Sequence, residues 1–189
     1  MARIFAALAV AVAVAAAVAC GGGDGGERRT GIDVVDKVIA AVEADDIEKL
    51  MSFVRFTDVP CTSTRPTSIP IVRCPTGEPD GSPVGALLSA SCEGTWMEAA
   101  DGATDRLRSS LSVTGSTVYA VYHPARAASE AFPAVAYAVV LTFPLNGQTA
   151  GFALLLDDEG IVGYDVDCGL PAERMAEFEH FGDAVLPPP

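Results

Sequence analysis

Basic side chains are scarce in this chain. Lys and Arg number 12 among 189 residues, against 25 Asp and Glu, so the formal net charge is −13. The few basic residues form no stripe or cluster, which a nucleic-acid-binding surface would need. An acidic body is also repelled by anionic lipid. We therefore expect no nucleic-acid partner and no membrane contact that depends on surface charge.

Motifs for metal, phosphate and hydrolase chemistry are also missing. The two histidines, His123 and His180, lie far apart and do not form H-E-x-x-H. The cysteines are not grouped in the close pairs of a zinc site. No G-x-S-x-G elbow occurs, and the glycine-rich stretch is not followed by the Lys-Ser or Lys-Thr of a phosphate loop. We expect no metal and no cofactor.

The N-terminus, by contrast, carries a clear pattern. Arg3 is followed by an uncharged run from Ile4 to Val18 and then by Cys20. A charged start, an apolar middle and small residues before a cleavage site are typical of a secretory signal. The segment Ala17-Val18-Ala19-Cys20 resembles the lipobox of bacterial lipoproteins, with Ala17 where Leu is usual. The resemblance implies that residues 1–19 are removed and that Cys20 becomes the lipidated first residue.

Two alternatives to this interpretation stay open. An ordinary secretory signal would be cleaved nearby without lipidation. An uncleaved membrane helix is the other alternative, because the run ending at Cys20 is about 17 residues long, the lower limit for spanning a bilayer. On the lipoprotein hypothesis the domain lies on the extracytoplasmic face of the cell membrane. The bilayer is then a partner through the Cys20 lipid, and the folded surface need not contact it.

The remaining cysteines fit an exported chain. Cys61, Cys74, Cys92 and Cys168 are four in number once Cys20 is set aside. An even number in an exported protein predicts two disulfides, and four cysteines allow three connectivities. We favour Cys61–Cys74, which would close a local loop, and Cys92–Cys168, which would join distant strands.

Composition divides the chain into one domain and its flanks. Residues 20–30 are the lipidated Cys and a flexible glycine-rich tether, and residues 31–186 have the length of a single domain. Residues 60–83 include six prolines, so they form a loop and not a helix. We expect the Cys61–Cys74 disulfide to staple that loop. Residues 187–189 are a proline tail.

Periodic apolar residues predict the elements of the domain. The spacing of Ile32, Val35, Ile39 and Val42 predicts a helix, and an acidic corner separates it from a second helix that begins near Ile47. Three later strands are joined by tight turns into an antiparallel meander, and a short final helix is bounded by a proline and a glycine. The predicted strands are residues 134–143, 149–156 and 161–167. The turns between them are Asn146-Gly147 and Asp158-Glu159-Gly160, and the final helix lies between Pro171 and Gly182.

The segments Ala40–Met51, with its acidic corner at Asp45, and Leu156–Asp165 have a further use. The first resembles the opening helix pair of the ketosteroid-isomerase-like, or cystatin-like, superfamily, with Asp45 where Gly is usual, and the second resembles its last hairpin. The resemblance implies an α+β fold, with N-terminal helices packed on a curved antiparallel sheet as a cystatin-like cone, and a pocket between them. It implies no single activity, because the superfamily includes isomerases, dehydratases and binding modules.

Candidate acid/base residues are few. Asp165 and Asp167 alternate onto one face of a strand, opposite the more apolar Tyr164 and Val166, so we expect both on the wetter face. His123 ends another strand. Our leading hypothesis is a binding or accessory module for a small-molecule or protein ligand. One alternative is an isomerase- or dehydratase-like enzyme that uses Asp165, Asp167 or His123, and another is a structural cell-surface protein without a ligand.

Overall fold

The structure, a computed structural model, describes residues 28–64, 71–90, 95–100, 102–111, 114–125, 134–166, 170–178 and 181–189. Cys20 and the signal-like run lie outside these residues, as do Cys92, Asp167 and Cys168. The described residues form four helices and eight strands. In chain order these are α1 (Asp33–Glu43), α2 (Ile47–Met51), β1 (Thr57–Pro60), β2 (Pro83–Ala90), β3 (Thr95–Glu98), α3 (Ala103–Ser110), β4 (Thr117–Pro124), β5 (Tyr137–Leu145), β6 (Gln148–Leu156), β7 (Ile161–Asp165), α4 (Ala172–Phe178) and β8 (Phe181–Leu186).

The described strands form one sheet. Their order is β1-β2-β7-β6-β5-β4-β8, and β3 pairs with β2 off this path. Strands β5, β6 and β7 are antiparallel neighbours, as the tight turns predicted, and the α+β class is confirmed. Strand β4 also pairs antiparallel with β5. Strand β2, however, runs parallel to β7. The prediction of a purely antiparallel sheet is therefore wrong, because pairing between segments so distant in sequence is not set by any local turn.

Both predicted turns of the meander are present. Asn146 and Gly147 have φ angles of 50° and 79°, the left-handed conformation that a two-residue hairpin turn requires at both positions. In the next turn, the Asp157 carboxylate accepts hydrogen bonds at 2.8 Å from the backbone amides of Glu159 and Gly160. Side chain and backbone together thus fix the direction in which β7 returns along β6.

Helices α1, α2 and α3 cover one face of the sheet. Val35, Ile39 and Val42 form the buried side of α1, as the spacing predicted. We call the buried cluster on this face the first core. Its members are Val35, Val38, Ile39, Ala41, Val42, Leu50, Leu87, Leu107, Leu111, Val121, Val139, Leu141, Phe152, Leu154, Leu156, Ile161, Tyr164 and Leu186.

The corner between α1 and α2 depends on two aspartates. Asp45 has a φ of 52°, a conformation that favours glycine. Its neighbour Asp46 begins α2 by accepting a hydrogen bond at 2.9 Å from the amide of Lys49. The carboxylate therefore satisfies one of the amides that a helix start leaves without an intrahelical partner.

The opposite face of the sheet is covered by different elements. We call its buried cluster the second core: Val59, Cys61, Val72, Ala86, Leu88, Trp96, Ala138, Val140, Ala153, Leu155, Ala172 and Met175. Helix α4 lies directly on β6, since the Gly151 amide donates to the Leu170 carbonyl at 2.6 Å. A Cβ on Gly151 would lie 2.9 Å from the Cα of Ala172, so only glycine allows this approach.

The last helix is shorter than the sequence predicted. The pattern favoured a helix between Pro171 and Gly182, but α4 ends at Phe178, and Phe181 already begins β8. Strand β8 pairs antiparallel with β4, and Gly182 approaches closely, with a Cβ placed there 2.8 Å from the His123 carbonyl. Tertiary pairing with a strand more than fifty residues earlier thus overrides the local helical pattern.

The Cys61–Cys74 disulfide is confirmed, with an S–S distance of 2.06 Å. Cys61 is buried in the second core. Asp80 holds the same loop, because its carboxylate accepts hydrogen bonds from the Ser63 amide at 2.8 Å and from the Thr62 hydroxyl at 3.2 Å. The predicted Cys92–Cys168 pair lies outside the described residues, and so do residues 65–70 of the loop.

Candidate functional site

His123 lies on the surface at the end of β4. Its ring nitrogen Nδ1 is 3.2 Å from the carbonyl oxygen of Ala136, and its ring centroid is 5.3 Å from that of Tyr137. Tyr137 packs against the first core, so His123 lies on the face of the sheet that α1 covers. The histidine thus contacts a backbone carbonyl and the edge of the packed core.

Asp165 is buried, against expectation. It ends β7 with 6% of its surface exposed, and it has an interaction partner within the protein. Its neighbour across the sheet is Ala153 of the second core, so the two side chains share that face. The prediction that Asp165 lies on a wetter face is wrong, because α4 and the stapled loop cover the second face and leave β7 buried throughout.

The alternation that the sequence predicted for β7 is also broken. The pairing with β6 shifts by one residue between Leu155 and Leu156, which places an extra residue in β7. As a result Ile161 and Tyr164, which strict alternation would separate, both belong to the first core. Asp167, the other predicted member of the pair, lies outside the described residues.

The structure does not bring His123 and Asp165 together. They lie on opposite faces of the sheet, on β4 and β7, with β5 and β6 between them. Three strand spacings of 4.7–4.9 Å separate them by about 14 Å in the plane of the sheet. A direct proton transfer between these two side chains is excluded by that distance.

A cluster of aromatic side chains lies on the second face, at the end of the sheet formed by β4 and β8. We call Tyr119, Tyr122 and Phe181 the aromatic cluster. All three are half-buried against the second core, and the rings of Tyr122 and Phe181 stack with centroids 5.7 Å apart. Within the described residues neither tyrosine hydroxyl has a hydrogen-bond partner. Burial, and secondarily the neighbouring Tyr119, raises the pKa of Tyr122.

Sequence reasoning missed this cluster because of a second irregularity. Tyr119 and Tyr122 are three residues apart, and a regular strand would place them on opposite faces. The pairing of β4 with β5 shifts between Val118 and Ala120, so Tyr119 is the extra residue of a bulge. Both rings consequently lie on the second face. No sequence signal for this bulge was recognised.

The described chain begins in contact with the same two strands. The Arg28 guanidinium donates to the carbonyl of Tyr119 at 3.1 Å and also to the carbonyl of Pro187, at the end of β8. Arg29 pairs with Glu43 at 2.9 Å, on α1. The described chain therefore already contacts the domain at Arg28, three residues before the domain boundary that the sequence predicted.

Other buried polar groups are few among the described residues. The Ser89 hydroxyl donates to the Tyr164 hydroxyl at 2.7 Å inside the first core, while the Ser116 hydroxyl is buried without a partner. The described residues contain no group of three or more His, Cys, Asp or Glu side chains that could hold a metal ion. No helix in the described ranges is long and apolar enough to cross a membrane.

Comparison with known proteins found no match for this chain. No protein-family model matches the chain, and the searches of curated proteins and of solved structures return no significant match.

Proposed function

We propose that the chain is an exported lipoprotein, anchored in the cell membrane through a lipid on Cys20, whose folded domain is a binding or accessory module on the extracytoplasmic face. The observation that carries the proposal is the position of Cys20. It follows the small residues Ala17-Val18-Ala19 at the end of an uncharged run and precedes a glycine-rich tether. Small residues before the cysteine are typical of a cleavage site that would leave Cys20 as the first residue of the mature chain.

Two features of the folded part support this proposal. The Cys61–Cys74 disulfide suits an oxidising compartment outside the cytoplasm. Arg28 and Arg29, which lie close after the glycine-rich stretch in sequence, already contact the domain.

The ketosteroid-isomerase-like cone is a further part of the proposal. The corner of α1 and α2 and the hairpin of β6 and β7 are the features that support it. The parallel β2–β7 pair and the covered second face depart from a simple cone. On this proposal a ligand pocket would lie between the sheet and the N-terminal helices.

Labelling with radioactive palmitate in a bacterial host tests the anchor. The native chain should incorporate the label, and Cys20→Ser should abolish it, because the thiol is the site of lipid attachment. Cys61→Ser/Cys74→Ser is the matched control and should keep the label. Persistent labelling of Cys20→Ser would contradict the lipoprotein proposal, and N-terminal sequencing would then separate plain secretion from an uncleaved anchor.

Native mass spectrometry of the purified protein tests the binding module. Co-purification of a small molecule or a protein, lost on denaturation, is the expected result. A spectrum of the bare chain from several preparations would favour the structural alternative, a surface protein without a ligand.

One observation favours the enzyme alternative, namely the burial of Asp165. A general acid or base needs a carboxyl group whose surroundings bring its ionisation towards neutral pH. Carbon-13 NMR titration of the Asp165 carboxyl, with the exposed Asp158 as the internal control, tests this alternative. Titration of Asp165 near neutral pH would support an acid/base role. Titration alongside Asp158 would leave Asp165 a structural residue.

A further inference from the structure

The start of the described chain lies beside one member of the aromatic cluster. Arg28 donates to the carbonyl of Tyr119 and to the carbonyl of Pro187, which follows the end of β8 farthest from Phe181. The described chain thus begins at the Tyr119 side of the cluster. On the proposed function, Cys20 is only eight residues from Arg28 and can lie no more than about 29 Å away, at 3.3–3.6 Å per extended residue.

We propose that the aromatic cluster contacts the interface of the bilayer in which Cys20 is anchored, so that the end of the sheet formed by β4 and β8 faces the membrane. This inference rests on the proposed lipoprotein function and adds an orientation to it. Tyrosine rings are suited to such a contact, because the ring is apolar and the hydroxyl reaches polar headgroups. The two hydroxyls of the cluster have no partner among the described residues, so they are available to headgroups.

Because the lipid anchor already holds the domain at the membrane, a contact as small as the aromatic cluster is sufficient to orient it. Three half-buried rings offer little apolar area, and even a single acyl chain holds a protein to a bilayer only marginally. The short tether, however, turns the second contact into an intramolecular one with an effective concentration in the millimolar range. A weak affinity of the cluster for the interface then suffices to orient the domain.

Charge sets the lipid composition that this contact prefers. The chain is strongly acidic, and β8 itself carries the exposed Asp183 beside the cluster. The contact should therefore form on zwitterionic phosphatidylcholine and weaken on anionic phosphatidylglycerol at low salt. Added salt should restore it, because charge repulsion is screened.

Fluorescence quenching by brominated lipid tests the orientation. The lipidated full chain is reconstituted in phosphatidylcholine vesicles with brominated acyl chains, as the native protein and as Phe181→Trp. The native chain has a single tryptophan, Trp96 on β3, which lies beyond β2 and is the far reference. We expect the tryptophan introduced by Phe181→Trp to be quenched at least twofold more than Trp96. If Phe181→Trp fails to fold by circular dichroism, Tyr122→Trp replaces it.

Removing the Arg28 contacts provides a second readout. Arg28→Ala should bring the quenching ratio of the introduced tryptophan and Trp96 closer to one, because the tether is no longer held beside the cluster. Arg73→Ala, in an exposed part of the stapled loop, is the matched control and should leave the ratio unchanged.

The outcomes separate the two proposals. Equal quenching of the introduced tryptophan and Trp96, in protein that floats with the vesicles, would overturn the orientation while the anchor stands. If the introduced tryptophan has a blue-shifted emission but is not quenched by the brominated lipid, the cluster packs against protein, such as a second copy of the chain. That result would also overturn the proposed orientation. Protein that neither takes up palmitate nor floats would overturn both proposals.

Discussion

The two faces of the sheet are covered by different means. Within the described part of the chain, ten of the twelve largest fully buried side chains belong to the first core, which regular helices cover. Only Leu88 and Met175 belong to the second core. There the cover is a short helix and a proline-rich loop closed by a disulfide, and several of the buried residues are alanines: Ala86, Ala138, Ala153 and Ala172.

This difference shows how covalent and apolar stabilisation complement one another. A helix with an apolar side satisfies its own backbone hydrogen bonds while it buries large side chains. A loop rich in proline has few backbone amides to offer and loses much conformational entropy when it is ordered. The Cys61–Cys74 link reduces that entropy in the unfolded chain, so the second face can be covered with less apolar area.

Adjacent leucines on β2 offer a direct comparison of the two cores. Leu87 belongs to the first core and Leu88 to the second, and both are almost fully buried. Leu87→Ala and Leu88→Ala should each lower the free energy of unfolding by about 2–5 kcal/mol, measured by urea denaturation. Repeating both in the Cys61→Ser/Cys74→Ser background should change the cost of Leu88→Ala by at least about 0.5 kcal/mol and leave that of Leu87→Ala unchanged. Equal coupling to both leucines would remove the distinction between the faces.

Loss of the disulfide alone is expected to have a somewhat smaller effect. Cys61→Ser/Cys74→Ser should lower the free energy of unfolding by about 3 kcal/mol, since the closed loop is short. Amide hydrogen exchange would locate the change. The amides of β1 and β2, beside the loop, should exchange faster through local opening, while those of α1 keep the protection set by global unfolding. Local opening that appears first in α1 would contradict this picture.

We expect acid to lower the stability of the fold slightly, through one carboxylate on each face of the sheet. Burial would raise the pKa of Asp36, but hydrogen bonds from Thr30 and Gly31 and the charge of Arg29 outweigh it and lower that pKa. Hydrogen bonds from the Ser63 side chain and backbone likewise lower the pKa of Asp80. A lowered folded pKa stabilises the protein above the unfolded value of about 3.9, and this is lost as the pH falls through the folded value.

The Asn variants separate these two contributions. Asp36→Asn and Asp80→Asn should each flatten the fall in thermal midpoint between about pH 5 and pH 2, because an amide cannot be protonated in this range. Asp158→Asn, at an exposed turn, is the control. If the thermal midpoint of both variants falls as steeply with pH as that of the native chain, other carboxylates govern acid unfolding.

Local patterns predicted the elements whose causes are local. The α1 stripe, the Asn146-Gly147 turn and the short-range disulfide were all correct. The position of Asp45, noted as one where glycine is usual, has the positive φ that explains that preference. Each of these features depends on residues within about a dozen positions of one another, so the sequence carries a readable signal for them.

The errors have a common cause in long-range pairing. The parallel β2–β7 contact, the end of α4 before β8, and the burial of Asp165 all depend on segments far apart in the chain. A bulge in β7 then shifts its alternation, and a bulge in β4 brings Tyr119 and Tyr122, three residues apart, to the same face. Neither hydrophobic period nor composition marks where a strand gains an extra residue.

The Arg28 contact with the carbonyl of Pro187 has a consequence for the connectivity of the fold. It makes the first and last described stretches of backbone neighbours, so a short linker could join them into a continuous chain. New ends could then be opened at the exposed Asn146-Gly147 turn, where β5 and β6 meet. The domain is therefore suited to circular permutation, which would move the chain ends to that turn without altering either core.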